Sequence, residues 1–173
     1  MACLMAAGLL VSGFAVNSYA KARIVLPPPD MVHADDKTVH EIEALYDGLE
    51  DALAKKDLDK IMTYYADDYS HNAATKPQLK FLWDTEFGTF EKLYSVHAFT
   101  DINVVDNEAA IVCTGTLFGL PKGGKEYVVV DTWAAQPHYL TKKSGSWKIV
   151  GGATHWKSEP VNGGFRLEFH PFF

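Results

Sequence analysis

Asp131 stands in the run Tyr127-Val128-Val129-Val130-Asp131-Thr132-Trp133, an acid set between valines and a tryptophan. In an extended chain alternate side chains share a face, so this pattern places Tyr127, Val129, Asp131 and Trp133 together. A carboxyl that loses water among such neighbours holds its proton more tightly. It can then donate that proton, or a hydrogen bond, to an oxyanion as it develops. The competing reading is a buried carboxyl whose hydrogen bonds are satisfied by Thr or Tyr partners. Other chemistries find less support. His71, His97 and His155 fall on separate segments, with no H-E-x-x-H string and no cysteine pair. Three strands could bring them together around zinc or iron; the spacing neither supports nor excludes it, and no metal ligand is assigned. Cys113 sits in an alternating apolar run and reads as a small buried hydrophobe. Ser70 and Ser158 lack a nucleophile elbow, and Gly123-Gly124 and Gly163-Gly164 precede no phosphate-binding helix. If the chain has a chemistry, it is acid–base work without a cofactor.

The elements that would hold these residues follow from periodicity. Thr38-Val39-His40-Glu41 has capping-box spacing, and Val39, Ile42, Tyr46, Leu49 and Leu53 then recur at three and four residues, predicting a helix to about Lys55. Asp57 caps a second, short helix with Leu58, Ile61, Met62 and Tyr65 inward, ended by Asp67-Asp68. A short extended piece covers Tyr69, Ser70 and His71. Thr75-Lys76-Pro77-Gln78 opens a third helix with Leu79, Leu82, Trp83, Phe87 and Phe90 as its stripe. From Tyr94 the period falls to two, with strands predicted over 94–105, 109–120, 126–136 and 146–156, joined by connections short enough for antiparallel neighbours. The expected fold is α+β, with three N-terminal helices packed on an antiparallel sheet.

The chain has 173 residues, with 16 Lys+Arg against 22 Asp+Glu for a formal charge of −6, and 47% of its residues are apolar. That suits one mildly acidic globular domain and gives no basic face for nucleic acid. Residues 1–20 carry no charge and end in Ser18-Tyr19-Ala20, the pattern of an export signal peptide. No Lys or Arg precedes the apolar run, and a retained helix is the alternative. Removal of this segment would leave Cys113 as the single cysteine. Residues 21–37, with Pro27-Pro28-Pro29, read as a linker, residues 38–157 as the domain, and residues 158–173 as an aromatic, ordered C-terminal tail. The expected location is periplasmic or secreted, with no stable membrane anchor.

Several local strings resemble the NTF2-like superfamily, in its SnoaL-like and ketosteroid isomerase-like branches. These are Ala54-Lys55-Lys56-Asp57-Leu58-Asp59 with Tyr65-Ala66-Asp67-Asp68, Asn107-Glu108-Ala109-Ala110, and Trp147-Lys148-Ile149-Val150, within a resemblance running from Thr38 to Trp156. The resemblance implies a strongly curved sheet closing into a cone with an apolar pocket, whose few polar groups decide function. The aspartate matching Asp131 is the oxyanion-hole donor in the isomerase-like members. Their general base would fall at Ala73 and their tyrosine at Leu49, with Tyr46 one helical turn earlier, so a steroid isomerase lacks two of its three groups.

The remaining polar set places His71 and Asn72 near the expected pocket mouth, His97 on the first long strand and His155 on the last. An Asp131–His155 pair would form a base with its orienting carboxylate. If Trp147 and Ile149 face the core, so does His155, unless Gly151-Gly152 holds a bulge. Candidate catalytic groups are therefore Asp131, His155, Tyr46 and His71. Tyr127, Val129, Trp133, Trp83, His97 and Asn72 are candidates for ligand contact. Two functions follow. One is an exported pocket protein that binds a small apolar molecule or acts as an accessory homodimer. The other is an acid–base isomerase, dehydratase or epoxide hydrolase.

Overall fold

The computed structural model describes residues 24–71 and 74–152. Two short strands open it, β1 (Ile24–Val25) and β2 (Val32–His33), separated by a 3-10 turn over Pro29–Met31. Helix α1 (Asp36–Lys55) and the short α2 (Leu58–Met62) come next, then β3 (Tyr65–His71) and β4 (Ala74–Thr75). Helix α3 (Lys76–Thr89) leads into the long strands β5 (Phe90–Val105), β6 (Glu108–Pro121), β7 (Val128–Lys143) and β8 (Ser146–Gly151).

The architecture is α+β, as expected, but the sheet is mixed. Its strands run in the order β1-β5-β6-β7-β8-β3-β4, with β2 also on β5. The long strands pair antiparallel, whereas β1 and β2 lie parallel to β5, and β3 lies parallel to β8. The helices supply the crossovers that parallel pairing needs. Segment 21–37 is therefore no free linker where it is described. Its alternate residues Ile24 and Val32 register with His97 and Ile102 and pack on the core.

Helix α1 starts before the expected Thr38 because Asp35 is the better cap. Its carboxylate accepts the N–H of Thr38 at 2.8 Å and the Thr38 hydroxyl at 3.2 Å. Lys56 ends the helix in the left-handed conformation (φ 54), and the N–H of Asp57 returns to Ala52. Helix α3 opens as predicted, with Gln78 Oε1 accepting the N–H of Thr75 at 2.7 Å. Tyr65, Asp67 and Asp68 belong to β3 rather than to the second helix. Both acids face water from that strand and pair with Lys76 and Lys143.

The third long strand does not stop at Gln136. It runs on to Lys143 because two bulges absorb what the sequence pattern reads as an end. One falls where Leu117 and Phe118 pair with Asp131 and Val129, leaving Val130 extra. The other lies between Trp133 and Gln136, where Ala135 is left-handed (φ 50) and gives its N–H to Thr114 Oγ1 at 2.9 Å. The main core joins the buried face of α1, including Ile42, Leu49 and Leu53, to the inner face of the sheet. On the outer face Tyr94 stacks on Phe118 and meets the edge of Tyr127.

Gly151 ends β8 with φ +90, and a Cβ there would lie 2.3 Å from the backbone oxygen of Ser70. Neither strain nor clash can relax without moving β3. Gly151→Ala is expected to lower stability by about 2 kcal/mol or more. An unchanged urea midpoint would contradict this geometry.

Candidate functional site

The inner face of the sheet is a grid read from the strand registers. One cross-strand row is Ser95, Leu117 and Asp131; the next is His97, Gly115 and Trp133; a third is Phe99, Cys113 and Gln136. Directly paired residues share a face, so these rows look toward α1. Gly115 is the device that lets two of them touch. A Cβ at Gly115 would sit 2.3 Å from the Trp133 indole and 2.3 Å from the carbonyl oxygen of Val96. Without it the indole lies across β6, with its centroid 5.2 Å from the His97 ring.

Helix α1 completes the site from above. Tyr46, wholly buried, sets its ring edge against His97 at 5.2 Å and against Phe99 at 4.9 Å. Its hydroxyl oxygen is 3.0 Å from Nδ1 of His138, which reaches the inner face two residue pairs beyond Gln136. One turn further along α1, Glu50 also points inward. Its Oε2 accepts the N–H of Ser95 at 3.0 Å, and its Oε1 accepts the Ser95 hydroxyl. Nε2 of His97 lies 2.9 Å from the same hydroxyl oxygen and 3.4 Å from Oε1. Glu50, Ser95 and His97 retain 7%, 0% and 1% of their exposure.

The donors in this array have a direction. Ser95 spends its hydroxyl proton on Glu50, so its oxygen accepts from Nε2 of His97 and places the proton on that nitrogen. Nδ1 then faces Sγ of Cys113 at 3.5 Å, and the Trp133 indole N–H donates to the same sulfur at 3.2 Å. Burial pushes the Cys113 thiol up to about 12, against the opposing pull of the Trp133 hydrogen bond. Burial likewise raises the Tyr46 hydroxyl well above its ordinary value, with the Cys113 and Tyr65 charges adding to the effect. Both groups stay protonated at neutral pH. Cys113 Sγ also has the Thr114 carbonyl oxygen as an acceptor at 3.6 Å, and the directed part of the chain runs from His97 through Ser95 to Glu50, so it ends on a carboxyl. Cys113 and Glu50 meet opposite ring nitrogens, which keeps the three from sharing one cation, and no group of three metal-ligating side chains occurs among the described residues.

The structure sorts the sequence candidates unevenly. Asp131 is on the inner face with Trp133, but Tyr127 and Val129 are not, because the extra residue Val130 turns the strand over between them. Val129 is 59% exposed, and Tyr127 packs on the outer Tyr94. Asp131 is half-buried and accepts the N–H of Thr132 at 2.8 Å. Leu117 separates it from Ser95, about 10 Å by two strand spacings. Its charge does reach Glu86 of α3, whose carboxyl is pushed up by burial first and by Asp131 second. Trp83 is buried in the main core and donates to the Tyr65 hydroxyl at 3.2 Å. His71 pairs with Ala74 at the far side, four strands from β5 along the sheet order. Asn72 and His155 lie outside the described residues, as does the segment 158–173.

Glu50, Ser95 and His138 were not among the candidates. Glu50 had a signal: it is four residues after Tyr46 and three before Leu53, inside the apolar stripe of α1. Ser95 alternates with Leu93, His97 and Phe99 and could be found the same way. His138 could not, because the bulge at Ala135 changes which parity faces inward.

No family profile matches the chain, and no curated protein matches it. Solved structures do. A candidate aromatic ring hydroxylase from Novosphingobium aromaticivorans matches with a TM-score of 0.56 at 13% identity, over 69% of this chain and 88% of that one. A candidate scytalone dehydratase from the same organism gives 0.56 at 14% identity, over 66% and 80%. Aln2 from a Streptomyces species gives 0.55 at 12%, over 69% and 90%. These are NTF2-like, SnoaL-like folds, and this chain has that fold.

Two outcomes follow from the donor order. Nitrogen-15 correlation spectra should show His97 with a protonated Nε2 and a bare Nδ1; the opposite tautomer would break the chain at Ser95. The Cys113 thiol should ignore a disulfide reagent at pH 8 in the folded protein, where only about one part in ten thousand is thiolate, and react once the chain is unfolded. Rapid reaction in the folded state would refute the burial argument.

Proposed function

We propose that the protein is an exported, SnoaL-like pocket protein that binds a small apolar molecule bearing one polar group, without a cofactor. The observation that carries this reading is the buried Glu50–Ser95–His97 array. Burying a carboxyl, a hydroxyl and an imidazole together costs more than filling the same volume with aliphatic side chains, so stability alone does not account for it. The aromatic rings of Tyr46, Phe99 and Trp133 beside it offer an apolar molecule a surface. His97, His138 and the Tyr46 hydroxyl offer its polar group both donors and acceptors.

A second reading, an acid–base isomerase, dehydratase or epoxide hydrolase, is favoured by the Glu86–Asp131 neighbourhood. There one carboxyl is held toward its protonated form by burial and by the charge of the other, the division of labour that acid–base catalysis needs. His155 would be the partner of Asp131 in that reading. Export rests on the uncharged residues 1–20 and the small residues that end them. Homodimer formation is supported by the outer face, where Val96, Ala98, Thr114, Thr116, Phe118 and Val129 carry no charge on a chain of net charge −6.

Intact-mass analysis of the chain purified from the periplasm or medium of an expressing host tests these together. The mass reports the mature N-terminus, the dimer and any retained molecule. The neutral fluorophore phenylnaphthylamine serves as the binding probe. Ser95→Ala removes a hydrogen bond to the Glu50 carboxyl and should weaken probe binding about tenfold or more. Asp131→Asn should leave it nearly unchanged. Binding lost in Asp131→Asn and kept in Ser95→Ala would move the site to the Asp131–Glu86 side and favour the enzyme.

A further inference from the structure

The array that the proposed function relies on is closed, so an incoming molecule needs a part of the wall that moves. The walls are unequal among the described residues. Strand β5 is held to β6 along its length, from Phe90 paired with Pro121 to Val105 paired with Glu108. Helix α1 is anchored by Ile42, Tyr46, Leu49 and Leu53, all without exposure. Among the described residues, the other edge of β5 is covered by residues 24–33, through two parallel ladders of two residues each: Ile24–Val25 on His97–Ala98 and Val32–His33 on Ile102–Asn103.

Between those ladders run Pro27, Pro28 and Pro29, which have no N–H to give β5. Ile24 registers with His97 and so shares its inner face, where it is partly buried against the core. Its neighbours Val25 and Leu26 are exposed, as are residues 28–31, so that Pro27 is the one fully buried residue between Ile24 and Met31. Segments held by few backbone hydrogen bonds and little buried surface open at lower free energy than the ladders beside them.

We infer that residues 24–31 are a hinged strap that gates the Glu50–Ser95–His97 array. The strap swings about the Val32–His33 ladder and lifts Ile24 away from His97. The opening admits a small apolar molecule from the β5 edge, past the imidazole that would meet its polar group. The proline turn keeps the strap stiff, so the two ladders do not merge into one long edge strand that would hold the gate shut. This inference rests on the binding reading above.

A disulfide across the strap tests it. Val25 and Ala98 are register partners, and adjacent strands stand about 4.8 Å apart, within disulfide reach. The full chain carrying V25C and A98C, with Cys3→Ser to avoid mispairing, is compared oxidised and reduced. Phenylnaphthylamine association should be roughly tenfold slower in the oxidised form and recover on reduction, and Ile24→Gly should speed it. Equal association rates in the two forms would overturn the gate while leaving the binding reading intact. Hydrogen exchange separates the remaining cases. Strap amides should exchange well before those of the β5–β6 ladder. Exchange only with that ladder would overturn the gate whatever the probe does. Early strap exchange without probe binding in either form would overturn the binding reading and leave the opening of the strap standing.

Discussion

The carboxyl of Glu50 enters the core from α1, takes the N–H and hydroxyl of Ser95, and stands 3.4 Å from Nε2 of His97. That contact ties the long helix to β5 at a single depth. A carboxyl in this setting must be met by donors, and the donors must in turn be held in place. Ser95 is held by the β5 ladder, and His97 is held between Cys113 and the ring of Tyr46. Breaking one partner of such an array leaves the others buried and unsatisfied, at a cost of about 3 kcal/mol or more. The helix, the strand and the aromatic wall are therefore coupled through one polar contact rather than through apolar packing alone.

Strand β7 shows how little irregularity is needed to rewrite a face. One extra residue at Val130 sends Val129 outward and Asp131 inward, and a second irregularity near Ala135 brings His138 to the inside. A regular strand over the same residues would have exposed His138 and grouped Asp131 with Tyr127. Gly115 acts at the same level. Its missing side chain lets Trp133 reach across β6 toward His97 and give its indole N–H to Cys113. The site is thus assembled from two bulges and one glycine on otherwise ordinary strands.

Three of the solved structures that match this chain, a candidate hydroxylase and a candidate dehydratase among them, are 12–14% identical to it. At that distance what is shared is the fold. The fold provides an inner face opposite a long helix, and the polar residues placed there decide what is done with it. Here the buried polar weight lies on the α1–β5 side, around Glu50 and His97, while Asp131 stands beyond Leu117 beside α3.

The sequence by itself determined the α+β class, the three helices with the apolar stripe of α1, and the antiparallel run from β5 to β8. Those features are written in local periods of 3.6 and two, and in turn residues such as Asp106-Asn107 and Ser144-Gly145. His97 and Tyr46 were legible for the same reason, each lying in phase with apolar neighbours. The tertiary structure alone decided the parallel pairing of residues 24–33 with β5, because two-residue ladders carry no periodic signal. It alone decided the side on which Asp131 and His138 lie, since a bulge depends on how two strands register and not on either strand's composition. Glu50 falls between these cases. Its position in the helical stripe is local, but its meaning is not. An acid in an apolar stripe becomes part of a site only when another strand brings it donors, and those donors sit 45 residues away at Ser95.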